Sequence, residues 1–354
     1  MRIITCWGGG VNSHNVFEKI ISLDNLFLAW REFKKGKTGK LDIHEFEFNL
    51  EENIFQLHDD LKNKKYKHGP YIAFYVRDPK LRHIHKASVR DRLFHHAVFR
   101  ILYPIFDKGF IYDSYSCRLG GGTHFAVNRL EKFIRKLSGN NHRTIYALKC
   151  DIRKFFDSVD KEILFEIIKR KIKDADSIRL INLILDSFSK VSGKGLPLGN
   201  VTSQLFANIY LNELDQYVKH NLKIKYYLRY CDDFIILGLE PHFLLELAYK
   251  IGEFLEEHLG LNLHQDKIIL RKHRQGIDFL GYVVLSYHRI LRTKTRKRMI
   301  RKVIKKRNEF EEGLIAEDSF KQSLNSYLGV LGHCNSGDLQ KELIWLSGLV
   351  DVEF

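Results

Sequence analysis

The stretch Tyr226-Tyr227-Leu228-Arg229-Tyr230-Cys231-Asp232-Asp233-Phe234-Ile235-Ile236-Leu237-Gly238-Leu239 decides how this chain is read. Two strand-like apolar runs flank Cys231-Asp232-Asp233, which predicts a hairpin with an acidic tip. Side chains alternate faces along a regular strand, so adjacent aspartates can share one site only where the backbone bends. Upstream, the segment RTIYALKCDIRKFFDSVDKEIL (143–164) opens with strand-favouring residues from Thr144 to Leu148. It ends at Asp151 and turns to helical periodicity from about Asp160. Asp151 therefore falls at a strand's end. Carboxylates from two segments suit a pair of Mg²⁺ ions about 3.5 to 4 Å apart, the arrangement that phosphoryl transfer from a nucleoside triphosphate requires. Taken alone, an Asp-Asp pair is weak evidence, since it more often caps a turn or faces solvent.

Working outward, 354 residues with 44% hydrophobic content can bury a sizeable core, which excludes a disordered chain. Lys and Arg number 58 against 43 acids, a formal charge of +15 that favours a polyanionic partner, nucleic acid foremost. The longest apolar runs, such as Phe234 to Leu239, fall far short of the roughly 18 residues that span a bilayer. The first fifteen residues lack the apolar core of a secretory leader, so a cytoplasmic location is expected, in a bacterial or phage-infected host cytosol. Gly8-Gly9-Gly10 reads as a flexible lead-in. Five scattered cysteines (Cys6, Cys117, Cys150, Cys231, Cys334) suggest neither a disulfide framework nor a zinc site. Five prolines and no low-complexity linker leave no clean cut point. Residues 15 to 65 show helical spacing, as in Leu50, Ile54, Leu57 and Leu61, and Tyr71 to Val76 reads as a strand. From Arg289 to Arg307, eleven of nineteen residues are Lys or Arg with no acid among them, and helix formers predominate after Lys297. Such a run is either a solvated helix face or a nucleic-acid contact.

YCDD between hydrophobic strands, preceded by DIRKFFDSVD, resembles the reverse transcriptase family, and the likeness continues in order from about Lys80 to Leu285. The resemblance implies an α+β right-hand polymerase with fingers, a palm of antiparallel sheet with packed helices, and a short helical thumb. Its expected divisions are an N-terminal helical extension or part of the fingers at 1–68, fingers at 69–142, a palm at 143–288 and a basic helical thumb at 289–354. Asp151 and Asp232 would ligate two Mg²⁺ ions, for which Mn²⁺ could substitute. Asp233 would complete the acidic cluster, and Ile152 belongs to the same metal set. The family places an aromatic gate against a 2′-hydroxyl at the position of Phe156, with Phe155 the competing choice. Lys80 and Arg82 resemble the basic grip on the triphosphate, a role that suits the fork of donors on arginine. Ser116, Arg118 and Gly120 to Gly122 resemble a motif near the template strand. Lys267 matches a lysine near the leaving pyrophosphate, a general acid. Phe279, Leu280 and Gly281 resemble the hairpin that positions the primer end. Arg292, Lys294, Arg296, Lys297 and Arg298 would meet the phosphates of an A-form duplex in the thumb. His83, His85, His95 and His96 are assigned no chemistry, since helical or turn surfaces and polar core contacts explain them.

GKGLPLGNVTSQLFANIYLNELD (193–215) joins a Gly- and Pro-rich loop to an amphipathic helix with Phe206, Tyr210, Leu214 and Tyr217 on one stripe. That stripe reads as core. Pro197, Leu198, Gly199, Ser203 and Gln204 resemble the family segment that braces the incoming nucleotide and template base, and Gly199 permits close backbone approach. Most of the family carries Gln before this Gly and Pro after the Ser. The form LGNVTSQ resembles diversity-generating retroelements, whose enzymes copy a template RNA with errors concentrated at adenines. An aliphatic residue in place of Gln would loosen control of base-pair geometry, because a buried polar contact discriminates more sharply than an apolar one. The expected partners are template RNA, primer, dNTPs and a small basic accessory protein, with no membrane. Two other readings stand beside this one: a stand-alone bacterial reverse transcriptase of antiviral defence, and a non-catalytic RNA-binding maturase or chaperone. Intact Asp151, Asp232 and Asp233 argue against the last. With no further acidic cluster and no CxxC pair after Leu285, an appended nuclease is not expected.

Overall fold

The computed structural model describes residues 15–78 and 80–348. The expectations for Gly8 to Gly10, for Cys6 and for an N-terminal leader fall outside the described residues. In chain order the elements begin with α1 (Val16–Ile21), α2 (Leu23–Phe33), α3 (Leu41–Phe48), α4 (Leu50–Lys62), β1 (Ile72–Arg77), β2 (Leu81–Lys86), α5 (Val89–Asp107) and α6 (Thr123–Ser138). Next come β3 (Tyr146–Asp151), one-turn α7 (Phe155–Ser158), α8 (Lys161–Lys171), α9 (Ala175–Asp186), α10 (Val201–Gln216), β4 (Tyr227–Tyr230), β5 (Asp233–Gly238) and α11 (Pro241–Leu259). The last stretch holds β6 (Ile269–Lys272), β7 (Ile277–Phe279), β8 (Tyr282–Val284), β9 (Arg289–Leu291), α12 (Thr293–Glu311), α13 (Glu317–Leu331) and α14 (Gly337–Ser347). These elements form two compact units. One takes the chain through Leu119, then 151–224 and 250–264, and the other takes 120–150, 225–249 and everything from Gln265 on. Because the units interleave in sequence, no linker composition could mark their borders.

The first unit is helical around α5, which packs against α1, α2 and α10. Leu93, Phe94, Ala97 and Val98 of α5 are buried with Leu26, Ala29 and Trp30 of α2, an apolar face that supplies most of the drive for the helices to associate. Ser88 caps α5 by accepting the Asp91 amide, and Asp160 caps α8 by accepting the amides of Glu162 and Ile163. Ile54, Leu57 and Leu61 face this core as their spacing predicts. Burial on α10 goes beyond the expected stripe. Besides Phe206, Tyr210 and Leu214, it encloses Thr202, Ser203, Ala207, Asn208 and Ile209, so most of the helix is surrounded rather than amphipathic. From this unit projects a two-stranded antiparallel hairpin, β1 with β2, in which Val76 pairs with Arg82.

The second unit carries a four-stranded sheet in the order β4-β5-β3-β6 and a three-stranded sheet in the order β7-β8-β9. The β4–β5, β3–β6, β7–β8 and β8–β9 pairs are antiparallel. Helix α6 packs on β4 and β5, and its face of Ala126, Val127, Leu130 and Ile134 is buried. Helices α12, α13 and α14 pack on one another through Met299, Val303, Phe320, Leu324, Leu339 and Leu343. The basic block does not begin as helix: Arg289 to Leu291 pair with Val284 to Tyr282 as β9, and α12 starts at Thr293. Ile290 and Leu291 favour a strand, and the ladder to β8 overrides the helical bias that follows. Among the described residues no helix is long and apolar enough to cross a membrane.

Candidate active site

Tyr230 pairs with Asp233 across the β4–β5 ladder, so the chain reverses in two residues, Cys231 and Asp232. The bend that paired aspartates require falls at Cys231, whose φ of 56° is left-handed. A non-glycine residue held there costs roughly 1 to 2 kcal/mol, the kind of local strain that collects at functional sites. Arg229 is one brace on the turn. Its side chain on β4 is fully buried, and Nη1 donates to the Cys231 carbonyl at 3.1 Å. Strand β3 lies beside β5 in the sheet. Lys149 of β3 sits 3.8 Å from the Asp233 carboxylate and donates to the Asp278 carbonyl at 3.3 Å.

Asp151 is the last residue of β3, as expected, and is half-buried. Its carbonyl accepts the His264 amide at 2.8 Å, and the Arg153 amide donates to the Asn262 carbonyl at 2.9 Å. This short bridge between Ile152 and Leu263 engages the carbonyl of Asp151 and the amide of Arg153, not the carbonyl of Ile152. The Ile152 side chain is core. Lys154, at φ 47°, then turns the chain into α7. There Phe155 is buried and Phe156 half-exposed, their rings meeting edge to face at 5.3 Å.

The loop before α10 is fastened to two other segments of the first unit. The Leu196 amide donates to the Phe156 carbonyl at 2.7 Å, which ties the loop to α7. The His85 amide donates to the Leu198 carbonyl at 2.9 Å, and Asn200 Nδ2 donates back to the His85 carbonyl at 3.1 Å. Gly199, at φ 113°, lies so close to β2 that a Cβ there would stand 3.0 Å from Ile84 Cγ2. Pro197 and Ser203 are buried, Leu198 is half-buried, and Gly199 and Gln204 are exposed. Below the loop, Thr202 Oγ1 contacts His95 Nδ1 at 2.9 Å, and His95 Nε2 meets His68 Nε2 at 3.0 Å. Burial, reinforced by the neighbouring His68 and His96, pulls the His95 pKa down to about 3, so the ring stays neutral.

The sequence profile of the family described as "Reverse transcriptase (RNA-dependent DNA polymerase)" matches residues 67–284, more than half of the chain. The chain belongs to the reverse transcriptase family. Protein YkfC of Escherichia coli is 25% identical over 68% of this chain and 71% of its own length. The group II intron-encoded protein LtrA of Lactococcus lactis is 30% identical over 60% of this chain but only 36% of its own length. Among solved structures, apo telomerase from Candida tropicalis matches with a TM-score of 0.50 at 14% identity, over 79% of this chain and 57% of that one. Telomerase from Candida albicans, in complex with a fragment of telomeric RNA, matches with 0.50 at 12% identity, over 81% and 56%. At those identities the likeness shows the fold, the α+β right-hand polymerase architecture with an antiparallel sheet.

Other expected reverse transcriptase positions are placed as follows. Lys80 and Arg82 are exposed, Arg82 on β2. Lys267 is half-buried in a 3₁₀ turn, Gln265–Lys267. Arg118 Nε donates to Asp107 at 2.8 Å, and Nη1 donates to the carbonyls of Ile111 and Ser114 at 2.6 and 2.9 Å, which braces its own loop. Ser116 is buried, its carbonyl accepting Asn208 Nδ2 at 2.8 Å. Phe279, expected in the primer hairpin, has 0% exposure and its side chain fills the core. The turn is Leu280-Gly281, with positive φ at both residues, the twist that suits a tight hairpin. On the thumb segment Arg292 pairs with Asp278 and Arg296 with Glu342, whereas Lys294 and Lys297 are exposed. His83 and His85 lie on a strand rather than a helix or turn. Three positions were not readable in the sequence: Arg229, Asn200 and Lys149. A lone Arg, Asn or Lys has no pattern of its own, although Arg229 in the middle of an apolar strand was a signal, since a buried charge needs a partner.

Among the described residues no group of three or more His, Cys, Asp and Glu side chains stands ready to hold a metal ion. Mg²⁺ is seldom caged by protein alone. It keeps waters and uses one or two carboxylates together with substrate phosphates, and half-buried aspartates at a strand end and a hairpin turn are hard oxygen donors of that kind. The donor chemistry fits a divalent ion that arrives with its nucleotide.

Proposed function

We propose that the chain is an RNA-directed DNA polymerase whose acidic site comprises Asp151, Asp232 and Asp233. The family match across 67–284 carries this reading, and the strained turn at Cys231 supports it. The aspartates, with the Ile152 carbonyl, would hold two divalent ions, which would supply positive charge against the α-phosphate and the leaving oxygens. In the reaction a primer 3′-hydroxyl forms a bond to the α-phosphorus of a dNTP as pyrophosphate leaves. Arg82 and Lys80 bind the triphosphate. Phe156, the half-exposed member of its pair, excludes a 2′-hydroxyl. Pro197 to Gly199, Ser203 and Gln204 brace the nucleotide against the template, and Lys267 gives a proton to pyrophosphate. Leu280, Gly281 and the basic residues of α12 hold template RNA and primer. The divisions into fingers (69–142), palm (143–288) and thumb (289–354) belong to this reading, with the thumb's entry strand at Arg289–Leu291. Primer extension on an RNA template with Mg²⁺ tests it. Wild type should add dNTPs, and an Asp232→Ala, Asp233→Ala double variant should lose on the order of a thousandfold or more, the several kcal/mol that bound metals contribute. A wild-type chain that adds no dNTP overturns the reading.

The finer assignment is to an error-prone enzyme of a diversity-generating retroelement, working with a small basic accessory protein in the cytosol. It rests on Leu198 in place of Gln and on Gln204 after Ser203. The relatives favour a second reading, because LtrA is a group II intron-encoded protein: a structured intron RNA as the template. A template repeat paired with a variable repeat beside the gene would select the first, and a flanking intron the second.

A further inference from the structure

Among the described residues the β1–β2 hairpin pairs with no third strand, and all six residues of β1 are exposed. An isolated two-stranded hairpin is marginal in water. Its position must therefore be set at its base, where β2 meets the loop before α10. At that junction the His85 amide donates to the Leu198 carbonyl and Asn200 Nδ2 to the His85 carbonyl, a pairing of residues 115 apart in sequence. Asn200 is only 2% exposed, and its Oδ1 is buried without a partner. Burying a polar atom unpaired is costly, so the residue is not an ordinary space-filler. Its Nδ2 donor is what the site uses. Gly199 allows the approach, since any side chain there would meet Ile84. The same loop is bound to α7 by the Leu196 amide on the Phe156 carbonyl.

We propose that Asn200 is a positioning residue for the incoming nucleotide. It registers β2, with Arg82, on the Leu198-Gly199 loop and so on α7, with Phe156. The group that grips the triphosphate and the groups that contact sugar and base then move as one body. A dNTP binds such a body without first ordering the hairpin, because the cost of alignment is met during folding. This rests on the polymerase reading given above. It adds that nucleotide affinity and selection depend on a residue that need not touch the nucleotide.

Two measurements test it. In hydrogen exchange on the full chain without nucleotide, Asn200→Ala and Asn200→Leu should speed exchange of the 81–86 amides by roughly tenfold, with α8 unchanged. Leu fills the buried site without burying a charge and lacks the donor, so a mere packing role would spare Asn200→Leu, and wild-type protection of β2 in Asn200→Leu overturns the proposal. In single-turnover incorporation normalised to active enzyme, both variants should raise the dNTP Kd on the order of tenfold, with a smaller change in maximal rate. The effect of Arg82→Ala should shrink in the Asn200→Ala background, because residues acting through one contact are not additive. A wild-type Kd, or additive effects with Arg82, also overturns the proposal. If wild type adds no dNTP while β2 still loses protection in the variants, the polymerase reading has failed and the clamp is purely structural.

Discussion

Between Tyr230 and Asp233 the chain reverses in two residues, and what holds the reversal lies close by: the β4–β5 ladder, Arg229 on the Cys231 carbonyl, and Lys149 of the neighbouring strand. The loop from Leu196 to Asn200 is held from far along the chain, by β2 and by α7. Both segments lie within the family match, and both place a left-handed residue at the critical bend, Cys231 in one and Gly199 in the other. The hairpin is a local device, with a left-handed residue at its turn beside two adjacent aspartates. The loop is a junction whose shape depends on how distant segments pack. A damaged hairpin should lose chemistry, and a damaged junction should lose discrimination.

Arg229→Met should break the first half of that comparison most severely. An apolar side chain of similar length fills the buried site but leaves the Cys231 carbonyl without its donor. Misplacing reacting groups by about 1 Å costs on the order of a hundredfold in rate. Incorporation per active site should fall by that order while thermal melting stays cooperative. A wild-type rate would show that the turn holds itself.

Leu198→Gln should act on the junction more gently. It returns a hydrogen-bonding group to the half-buried position before Gly199, and misincorporation opposite template A should drop roughly tenfold with little change in rate. An error spectrum identical to wild type would remove the link between Leu198 and low fidelity.

The smallest effect is on pH. His95 is neutral in the folded chain, its pKa pulled down to about 3 by burial first and by His68 and His96 next. In the unfolded chain it titrates near 6.5. The unfolded state therefore binds the extra proton, and stability is full above about pH 6.5 and declines as pH falls toward 3. At pH 5 the loss from this group is about 2 kcal/mol. The thermal midpoint should fall between pH 7 and 5, and His95→Gln should flatten that slope. Because His95 contacts Thr202 at the start of α10, acid should loosen the junction before the hairpin, which hydrogen exchange of 196–204 against 227–238 would show.

Much of the candidate site was legible because its signals are local. Strand-favouring runs and the acidic pair place Asp151 at a strand's end and Asp232 at a turn without reference to the rest of the chain. Between Phe155 and Phe156 the family position favoured the second, but which ring is buried is decided by packing alone. Burial of the Phe279 side chain was likewise decided by packing. A turn motif marks where the chain reverses, not which neighbouring side chain enters the core.

By itself, then, the sequence determined the family, the order of its motifs, the helical N-terminal region and the bend that two adjacent aspartates demand. The family and the order of its motifs came from a resemblance, whereas the helical region and the turn follow from periodicity and turn chemistry, which act over a few residues. Only the tertiary structure decided that Arg229 would be buried beneath the turn, that Asn200 would bind β2, that Arg289 to Leu291 would join a sheet, and that the chain would divide into two interleaved units. Those outcomes depend on contacts between residues distant in sequence, and a hydrogen bond spanning 115 residues leaves no periodic trace in the chain that makes it.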